Sequence, residues 1–266
     1  MLYYILWVVA ALATGGIYYL SPSLHPALIL PILIGFFVAL CLLYLLFILV
    51  SPVVFPRGTP EHPSPYAAGS IRVALGWFMR IFCVRLRVVG AEKLPSEPVV
   101  YVCNHRSALD PVFIICGLRH RRMAFVSKES VLKYPIVGPH MRRAAFLGID
   151  RSSPMQSMRA IHRAARYVRE DGIDYGIFPE GTRSHSDELL PFKNGAFLLA
   201  KKADAPIVVL TMRGSDTALS RLPWHRPRIK ITVTEIIGKE DVRALSHDEL
   251  SEKARHAMQS DLYPKE

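Results

Sequence analysis

Charge is missing from about the first fifth of this chain. No Asp, Glu, Lys or Arg precedes Arg57, so all 55 charged residues and the entire formal net charge of +11 lie in the rest of the 266 residues. A chain of this length can hold one sizeable α/β domain or two small ones. The charge distribution divides it into an uncharged N-terminal part and a basic remainder.

Two long apolar runs fill the uncharged part, over residues 2–20 and 27–50, with the turn-like segment SPSLHP between them. Each run is near the ~20 residues with which a helix crosses a bilayer. Such lengths disfavour a core helix, and the missing Lys or Arg at the start disfavours a cleaved signal peptide. The sequence predicts a membrane anchor over residues 1–55, formed as an N-terminal membrane helical hairpin that spans the bilayer twice or enters one leaflet.

After the anchor, the sequence predicts a proline-rich linker over residues 56–68 and a folded α/β domain over residues 69–266. Positively charged segments next to membrane spans tend to stay in the cytoplasm. Arg57, Arg72 and Arg80 therefore place the charged domain on the cytoplasmic side of the cell membrane. The four cysteines form no C-x-x-C pair and no disulfide framework, which is compatible with a reducing compartment.

The motifs of several common enzyme chemistries are absent. The chain has no G-x-S-x-G nucleophile elbow, no P-loop, no H-E-x-x-H and no G-x-G-x-x-G after a strand. Acyl-serine, nucleotide and metal chemistry lose support, and no metal site is predicted. Zinc-finger and RNA-recognition signatures are also missing, so no nucleic-acid partner is predicted. Cys103 could carry an acyl thioester, but a cysteine inside a strand is more often a small core residue.

What the basic part does contain is an alternation of strands and helices. VVYVCN has the composition of a buried strand, and SALDPVFIICGL that of a helix opened by Ser107 and Asp110 at capping-box spacing. The alternation predicts an α/β fold with a layered, largely parallel sheet flanked by helices. For the preceding segment, SIRVALGWFMRIF, a basic amphipathic helix at a membrane surface and a helix facing the core fit the pattern equally.

The first candidate site is the segment NHRSALD, in which His105 and Asp110 follow a buried strand. The spacing alone is weak evidence, because the chain contains ten His residues and repeats the spacing at His256 and Asp261. The second pair falls in a predicted surface helix. Position favours the first pair, since ligands of open α/β sheets bind outside the carboxyl ends of the strands.

Two further strand ends deliver charged side chains. FPEGTRS carries Glu180 and Arg183 through a turn, and FLGIDRSS places Arg151 just before a helix N-terminus, where an arginine and free backbone N–H groups suit a phosphate. Local ion pairs, Glu180 with Arg183 and Asp150 with Arg151, would explain the same residues without a ligand.

Basic residues are concentrated around FLGIDRSS, the segment that carries Arg151. Residues 119–151 contain eight Lys or Arg residues and two acids, an excess that favours an anionic partner such as membrane headgroups or a phosphorylated small molecule. A basic stripe is otherwise often only a solvated face.

Taken in order, NHRSALD, SKESVLKYPIVG with FLGIDRSS, FPEGTRS, and FKNGAFLLAKKADAPIV resemble the glycerolipid acyltransferase family, most closely its bacterial 1-acyl-glycerol-3-phosphate acyltransferases. The resemblance covers roughly residues 70 to 240. In one departure, Val209 stands where the last block of the family usually has a second proline.

The resemblance implies transfer of a fatty acyl group from acyl-CoA or acyl carrier protein, as co-substrate, to the hydroxyl of lysophosphatidic acid, with no cofactor. His105 would act as general base and Asp110 would hold its other ring nitrogen. The expected partners are a lysophospholipid acceptor, the acyl donor and an anionic membrane surface. By the family's pattern, seven residues bind or shape the site of the acceptor: Lys128, Arg151, Glu180, Gly181, Thr182, Arg183 and Lys193.

Three alternatives remain open at this point. The same machinery could use another acceptor, such as glycerol 3-phosphate or a lyso-aminolipid, or could use water as a thioesterase does. The chain could also be a non-catalytic membrane adaptor that binds anionic lipid through its basic face. The presence of both His105 and Asp110 in a complete set of motifs argues against the adaptor.

Overall fold

The computed structural model of this chain describes residues 29–54, 59–134, 137–150, 153–184, 186, 188–218 and 226–264. The chain divides into two compact units, Met1–Pro56 and Arg57–Glu266. A helix begins at Pro65, inside the segment predicted as a linker.

The described part of the first unit is helix α1, Ile29–Val54. It overlaps the second apolar run, and large apolar side chains such as Phe37 and Leu43 are exposed on it. The first run, residues 2–20, lies outside the described residues, so the hairpin stays a prediction. Counting only the residues whose side chains are described, no helix combines the length and apolarity needed to cross a membrane.

The second unit is built on one sheet, which has seven strands in the described residues: β1 (Arg85–Val89), β2 (Val100–Cys103), β3 (Met123–Lys128), β4 (Leu147–Ile149), β5 (Asp174–Ile177), β6 (Ile207–Arg213) and β7 (Arg228–Ile237). The strand order is β1-β7-β6-β2-β5-β3-β4. Neighbouring strands pair parallel except β6 and β7, which pair antiparallel. The predicted α/β fold with a largely parallel sheet is confirmed.

Helices connect the strands and flank the sheet: α2 (Pro65–Ile81), α3 (Asp110–Gly117), α4 (Glu129–Leu132), α5 (Val137–Arg143), α6 (Pro154–Asp171), α7 (Gly195–Ala203), α8 (Lys239–Ala244) and α9 (His247–Leu262). A 3-10 turn, Ala91–Lys93, follows β1. Because β2 to β6 all run in one direction, their carboxyl ends meet at one side of the sheet, the carboxyl edge. The amino end of β1 lies at the same edge, since β1 pairs parallel with β7.

Helix α6 shows how local sequence sets the elements. The Ser153 side chain accepts the Gln156 N–H, Pro154 occupies the first helical position, and Gly172 ends the helix in the left-handed conformation with φ of 64°. Small apolar residues such as Ala160 and Ala164 are buried on one side, while the Arg159 side is exposed. The start predicted for this helix is confirmed.

The start predicted for α3 is wrong. The helix begins at Asp110, three residues after Ser107, and its N-cap Leu109 makes no side-chain cap. The Asp110 carboxylate accepts the backbone N–H groups of Arg106 and Ser107, whereas the Ser107 hydroxyl accepts the Leu109 N–H at 3.3 Å, so only half of the predicted capping box forms. These bonds hold residues 105–109 in a tight loop, which is why the segment cannot continue the helix backwards.

Helix α2 is the basic amphipathic segment for which two interpretations stood open. Its Ile71, Leu75 and Met79 pack against the core of the second unit, and Arg72 donates to the Arg119 carbonyl. The core-facing interpretation therefore holds for these residues. Ile81, at the carboxyl end of α2, is 68% exposed.

Val209, the departure from the family's proline, lies fully buried in β6. It pairs with Val102 of β2 and with Glu235 of β7. A proline has no N–H to donate within such a ladder. A valine at this position therefore keeps a donor that the family's proline lacks.

Candidate active site

The candidate site lies where β2 and β5 end at the carboxyl edge. β2 leads into Asn104 and His105, and the neighbouring β5 leads into Phe178 and Glu180. The two strands pair directly, so segments 75 residues apart in the sequence come into contact. The strand order thus assembles NHRSALD and FPEGTRS into one site.

His105 and Asp110 form a close pair in this site. His105 Nδ1 lies 2.8 Å from Asp110 Oδ2, and the same oxygen accepts the N–H groups of Arg106 and Ser107 at 2.8 Å each. The Asp110 side chain is fully buried, whereas that of His105 is 18% exposed. With Nδ1 turned to the carboxylate, Nε2 is the ring nitrogen that can accept a proton.

Glu180 supports the loop that carries His105. Its Oε1 accepts the His105 N–H at 2.8 Å, its Oε2 accepts the Leu190 N–H at 3.0 Å, and the residue is 2% exposed. Burial raises the pKa of Glu180, and the two backbone donors oppose that shift only in part. The structure places this carboxylate beneath the loop, and its contact with an acceptor stays a prediction.

The imidazole ring also rests on an aromatic stack. The ring centroids of His105 and Phe178 are 4.1 Å apart at 18°, and Phe178 in turn stacks on Phe125 at 5.7 Å. On the backbone side, the Ser184 N–H donates to the His105 carbonyl at 2.8 Å. Both the ring and the backbone of His105 are held, which favours a defined direction for Nε2.

Asn104 ties the same strand end to β6. Its Nδ2 donates to the Met212 carbonyl at 3.0 Å, and its Oδ1 accepts the Met212 N–H at 2.7 Å. The sequence assigned no role to Asn104, Phe178 or Ser184. Of the three, Asn104 could have been found from the sequence, because an amide directly after a buried strand must find hydrogen-bond partners in the fold.

Gly181 and Lys193 are brought together, as the predicted acceptor site requires. Gly181 has φ of +69°, which favours glycine, and a Cβ there would lie 3.0–3.1 Å from the side-chain atoms of Lys193. The Lys193 N–H donates to the Pro179 carbonyl at 2.8 Å. The Lys193 side chain therefore passes directly over the Gly181 turn.

The remaining predicted binding residues divide into two groups. Lys128 at the end of β3, and Thr182 and Arg183 after Gly181, are exposed at the carboxyl edge. Arg151 lies outside the described residues. The roles of all seven residues in binding stay predictions.

Cys103 is unsuited to carry an acyl group. It is 1% exposed, and burial raises the pKa of its thiol well above the ordinary range, with the nearby carboxylates of Asp110 and Glu180 acting in the same direction. The thiolate is the reactive form of cysteine. A neutral, inaccessible thiol fits the core role that was expected for it.

A cavity of about 380 Å³ opens beside the His105 loop, on the side of β6. Its lining includes Asn104, Arg106, Glu180, Ser184, Arg213 and Tyr263. The space could hold part of a substrate against the loop that positions the histidine.

The second His-x4-Asp pair is not assembled into a site. His256 lies in α9, which begins with a capping box at Ser246. Asp261 accepts the Thr211 hydroxyl at 2.6 Å and lies 3.6 Å from Arg213, so its partners belong to β6. Within the described ranges, no group of three or more His, Cys, Asp or Glu side chains is placed to hold a metal ion.

Comparison with known proteins shows what this chain is similar to. The family model described as Acyltransferase matches residues 85–213, the range that contains His105, Asp110 and FPEGTRS. A solved structure, the 1-acyl-sn-glycerophosphate acyltransferase PlsC from Thermotoga maritima, aligns with a TM-score of 0.61 over 83% of this chain and 87% of that one, at 21% identity. That likeness shows a shared fold.

Curated relatives of this chain share the name of one acyltransferase activity. The 1-acyl-sn-glycerol-3-phosphate acyltransferase of Limnanthes douglasii is 31% identical over 158 residues, which cover 59% of this chain and 56% of that protein. The enzyme of the same name from Saccharomyces cerevisiae is 29% identical over 177 residues, or 65% and 58% of the two chains. Residues 85–213 of this chain thus match the Acyltransferase family model, and its curated relatives are named as 1-acyl-sn-glycerol-3-phosphate acyltransferases. It spans somewhat more than half the length of these curated relatives.

Proposed function

We propose that this protein is a membrane-bound 1-acylglycerol-3-phosphate O-acyltransferase. It transfers a fatty acyl group from acyl-CoA or acyl carrier protein to the sn-2 hydroxyl of lysophosphatidic acid and forms phosphatidic acid. The observation that carries the proposal is the 2.8 Å contact between His105 and Asp110 at the carboxyl edge of an acyltransferase-family sheet. The names of the curated relatives support the choice of acceptor.

The geometry suits direct transfer by general base catalysis. His105 Nε2 removes the proton of the acceptor hydroxyl as its oxygen forms a bond to the thioester carbonyl carbon. The tetrahedral intermediate then breaks its C–S bond, and the imidazolium returns the proton to the leaving thiolate. Asp110, held by two backbone N–H groups besides His105, stabilises the imidazolium and keeps Nε2 turned outward.

The cations around the turn after β5 suit the phosphate of the acceptor. Lys193 passes over Gly181, Arg183 follows two residues later, and Lys128 ends the strand on the far side of β5. Charge-assisted bonds from such groups to phosphate oxygens are stronger than neutral ones. Arg151, from FLGIDRSS, completes the set proposed for this role.

The N-terminal unit is proposed as the membrane anchor, with the catalytic unit on the cytoplasmic side of the cell membrane. The exposed apolar side chains of α1 and the absence of charge before Arg57 support this role. An anchor keeps the site near an acceptor and a product that both reside in a bilayer.

The test uses membranes containing the full chain, a labelled acyl donor and a panel of acceptors that includes lysophosphatidic acid, glycerol 3-phosphate and a lyso-aminolipid. We expect phosphatidic acid as the main product of the intact chain. His105→Ala should abolish acyl transfer, and the matched variant His256→Ala should leave it unchanged. Release of free fatty acid without transfer would identify a thioesterase, and activity of His105→Ala would refute the assigned base.

A further inference from the structure

Large apolar side chains are exposed mainly on one side of the second unit. Among its described residues, eight such side chains are more than a third exposed. Tyr66 and Val89 lie toward the amino ends of β2 to β6, because Ser64 bonds to the end of α5 and β1 runs opposite to β6. The other six belong to segments at the carboxyl edge: Ile81, Tyr134, Val137, Met155, Met158 and Tyr263.

Four of these six flank two neighbouring strand ends. Tyr134 (62% exposed) follows α4 and Val137 (53%) begins α5, so both come after the end of β3 in the chain. Met155 (65%) and Met158 (44%) lie in the first two turns of α6, which follows β4. Since β3 and β4 pair directly, the two segments leave adjacent strands at the edge that carries His105. We call these four residues the apolar rim.

The charge around the apolar rim is positive. Lys128, Lys133 and Arg159 are exposed in the segments that carry it. In the described residues 128–134, 137–143, 150 and 153–159, five Lys or Arg residues outnumber two acids, which are Asp150 and Glu129, the latter 3.1 Å from Arg142. Exposed apolar side chains among cations are the composition of surfaces that lie on anionic bilayers.

We propose that the apolar rim, with Lys128, Lys133 and Arg159, is a membrane-docking surface on the catalytic unit itself, separate from the N-terminal anchor. It holds the carboxyl edge against an anionic lipid surface, so that the acceptor reaches His105 without leaving the bilayer. Methionine is flexible and polarisable, and tyrosine is enriched where bilayer and water meet. The proposal rests on the proposed function, which places the acceptor in a bilayer.

The first experiment measures membrane contact without turnover. The full chain, with exposed Cys83 replaced by Ser, receives a single cysteine at Met155 or, as a matched control, at exposed Glu170 near the other end of α6. The two sites are about 22 Å apart along the helix. Each cysteine is labelled with an environment-sensitive fluorophore, and the labelled Cys83→Ser chain supplies the background. The proteins are reconstituted in phosphatidylcholine–phosphatidylglycerol vesicles that contain quencher-bearing lipid.

We expect strong quenching of the label at position 155, little at position 170, and weaker quenching at 155 in vesicles without phosphatidylglycerol. Equal quenching at both sites, or none at position 155, would overturn the proposal. Because this readout needs no catalysis, it still decides the docking surface if the chain proves inactive on every acceptor.

The second experiment measures acyl transfer by the full-length variants M155D/M158D and M155Q/M158Q. With lysophosphatidic acid presented in anionic vesicles, we expect a fall in rate of about tenfold for the Asp variant and a smaller fall for the Gln variant. With a short-chain acceptor below its micellar concentration, both variants should match the unmodified protein. A loss with both acceptors would overturn the proposal. If the variants lost only the use of acyl carrier protein as donor, and position 155 showed no quenching, the surface would instead be assigned to binding an acidic protein.

Discussion

The backbone N–H of His105 donates to Glu180 Oε1 at 2.8 Å, across two strand ends that are 75 residues apart in the sequence. The second oxygen of the same carboxylate accepts the Leu190 N–H at 3.0 Å. Glu180 thereby joins the loop of the proposed base to the segment that carries Thr182 and Arg183. A disturbance at Glu180 must reach both parts of the site.

We expect Glu180→Gln to lower kcat by about ten- to hundredfold with little change in either KM. The amide has one acceptor oxygen, so its NH₂ group faces the N–H of either His105 or Leu190, and a buried donor loses its partner. Steady-state kinetics with each substrate varied separately checks this, with Glu170→Gln on the exposed side of α6 as control. A raised acceptor KM with unchanged kcat would instead show direct contact between Glu180 and the acceptor.

The raised pKa of Glu180 predicts a pH-dependent contribution to stability. The folded-state pKa lies above the unfolded one, so the contribution is complete below the unfolded pKa and is lost as the pH rises through the folded pKa. The unfolding free energy of the unmodified protein, minus that of Glu180→Gln, should therefore fall as the pH rises above the ordinary glutamate pKa of about 4.3. Urea unfolding of both proteins across this range measures it, and a difference that rises with pH would contradict the assignment.

Replacement of Cys103 by Ala should leave acyl transfer intact. The thiol is buried and its pKa is raised well above the ordinary range, so it supplies neither a nucleophile nor an accessible surface. In the folded protein, maleimide should modify exposed Cys83 and reach Cys103 only after denaturation. The intact protein is also analysed by mass spectrometry after brief exposure to acyl donor. An acyl thioester on Cys103 would contradict the prediction and indicate a covalent mechanism.

Arg121 and Asp174 form the main charged contact at the opposite edge of the sheet. Arg121 Nε lies 2.6 Å from Asp174 Oδ2 and Nη2 lies 2.8 Å from Oδ1, while further bonds reach the carbonyls of Pro95 and Glu97. Arg121→Met leaves a 2% exposed carboxylate without its partner and should cost about 3–5 kcal/mol of unfolding free energy. Denaturant midpoints test this against Arg243→Met, which breaks an exposed pair with Asp204 and should cost much less. Equal losses would show that burial does not set the strength of the Arg121 contact.

Arg183→Lys should raise the acceptor KM and leave the donor KM unchanged. Lysine keeps the charge but lacks the planar fork that binds phosphate through two bonds. Loss of one charge-assisted bond costs about 1.5–3 kcal/mol, which lowers kcat/KM for the acceptor by about ten- to hundredfold. Arg169→Lys, far along α6, is the matched control. A penalty confined to the donor KM would move Arg183 to the phosphate of the acyl donor.

Much of the site could be predicted locally, and part of it could not. His105 and Asp110 are five residues apart on one strand end, so their contact depends on a single loop. Phe178 and Ser184 contact His105 from another segment, and Asn104 bonds to Met212 of β6, and no local spacing reveals such contacts. The missed start of α3 has another cause. The Asp110 carboxylate does accept the Ser107 N–H, as the spacing suggested, but the Ser107 hydroxyl accepts the Leu109 N–H and not that of Asp110.

The sequence by itself determined the class of fold and the uncharged N-terminal part, because hydrophobic periodicity and the placement of charge are local properties of the chain. Only the tertiary structure decided that Glu180 holds the His105 loop and that α2 faces the core, because strand order and packing join residues that are far apart in sequence. The same reason applies to the apolar rim. Tyr134 and Met155 stand in separate segments, and only the pairing of β3 with β4 sets them at one edge.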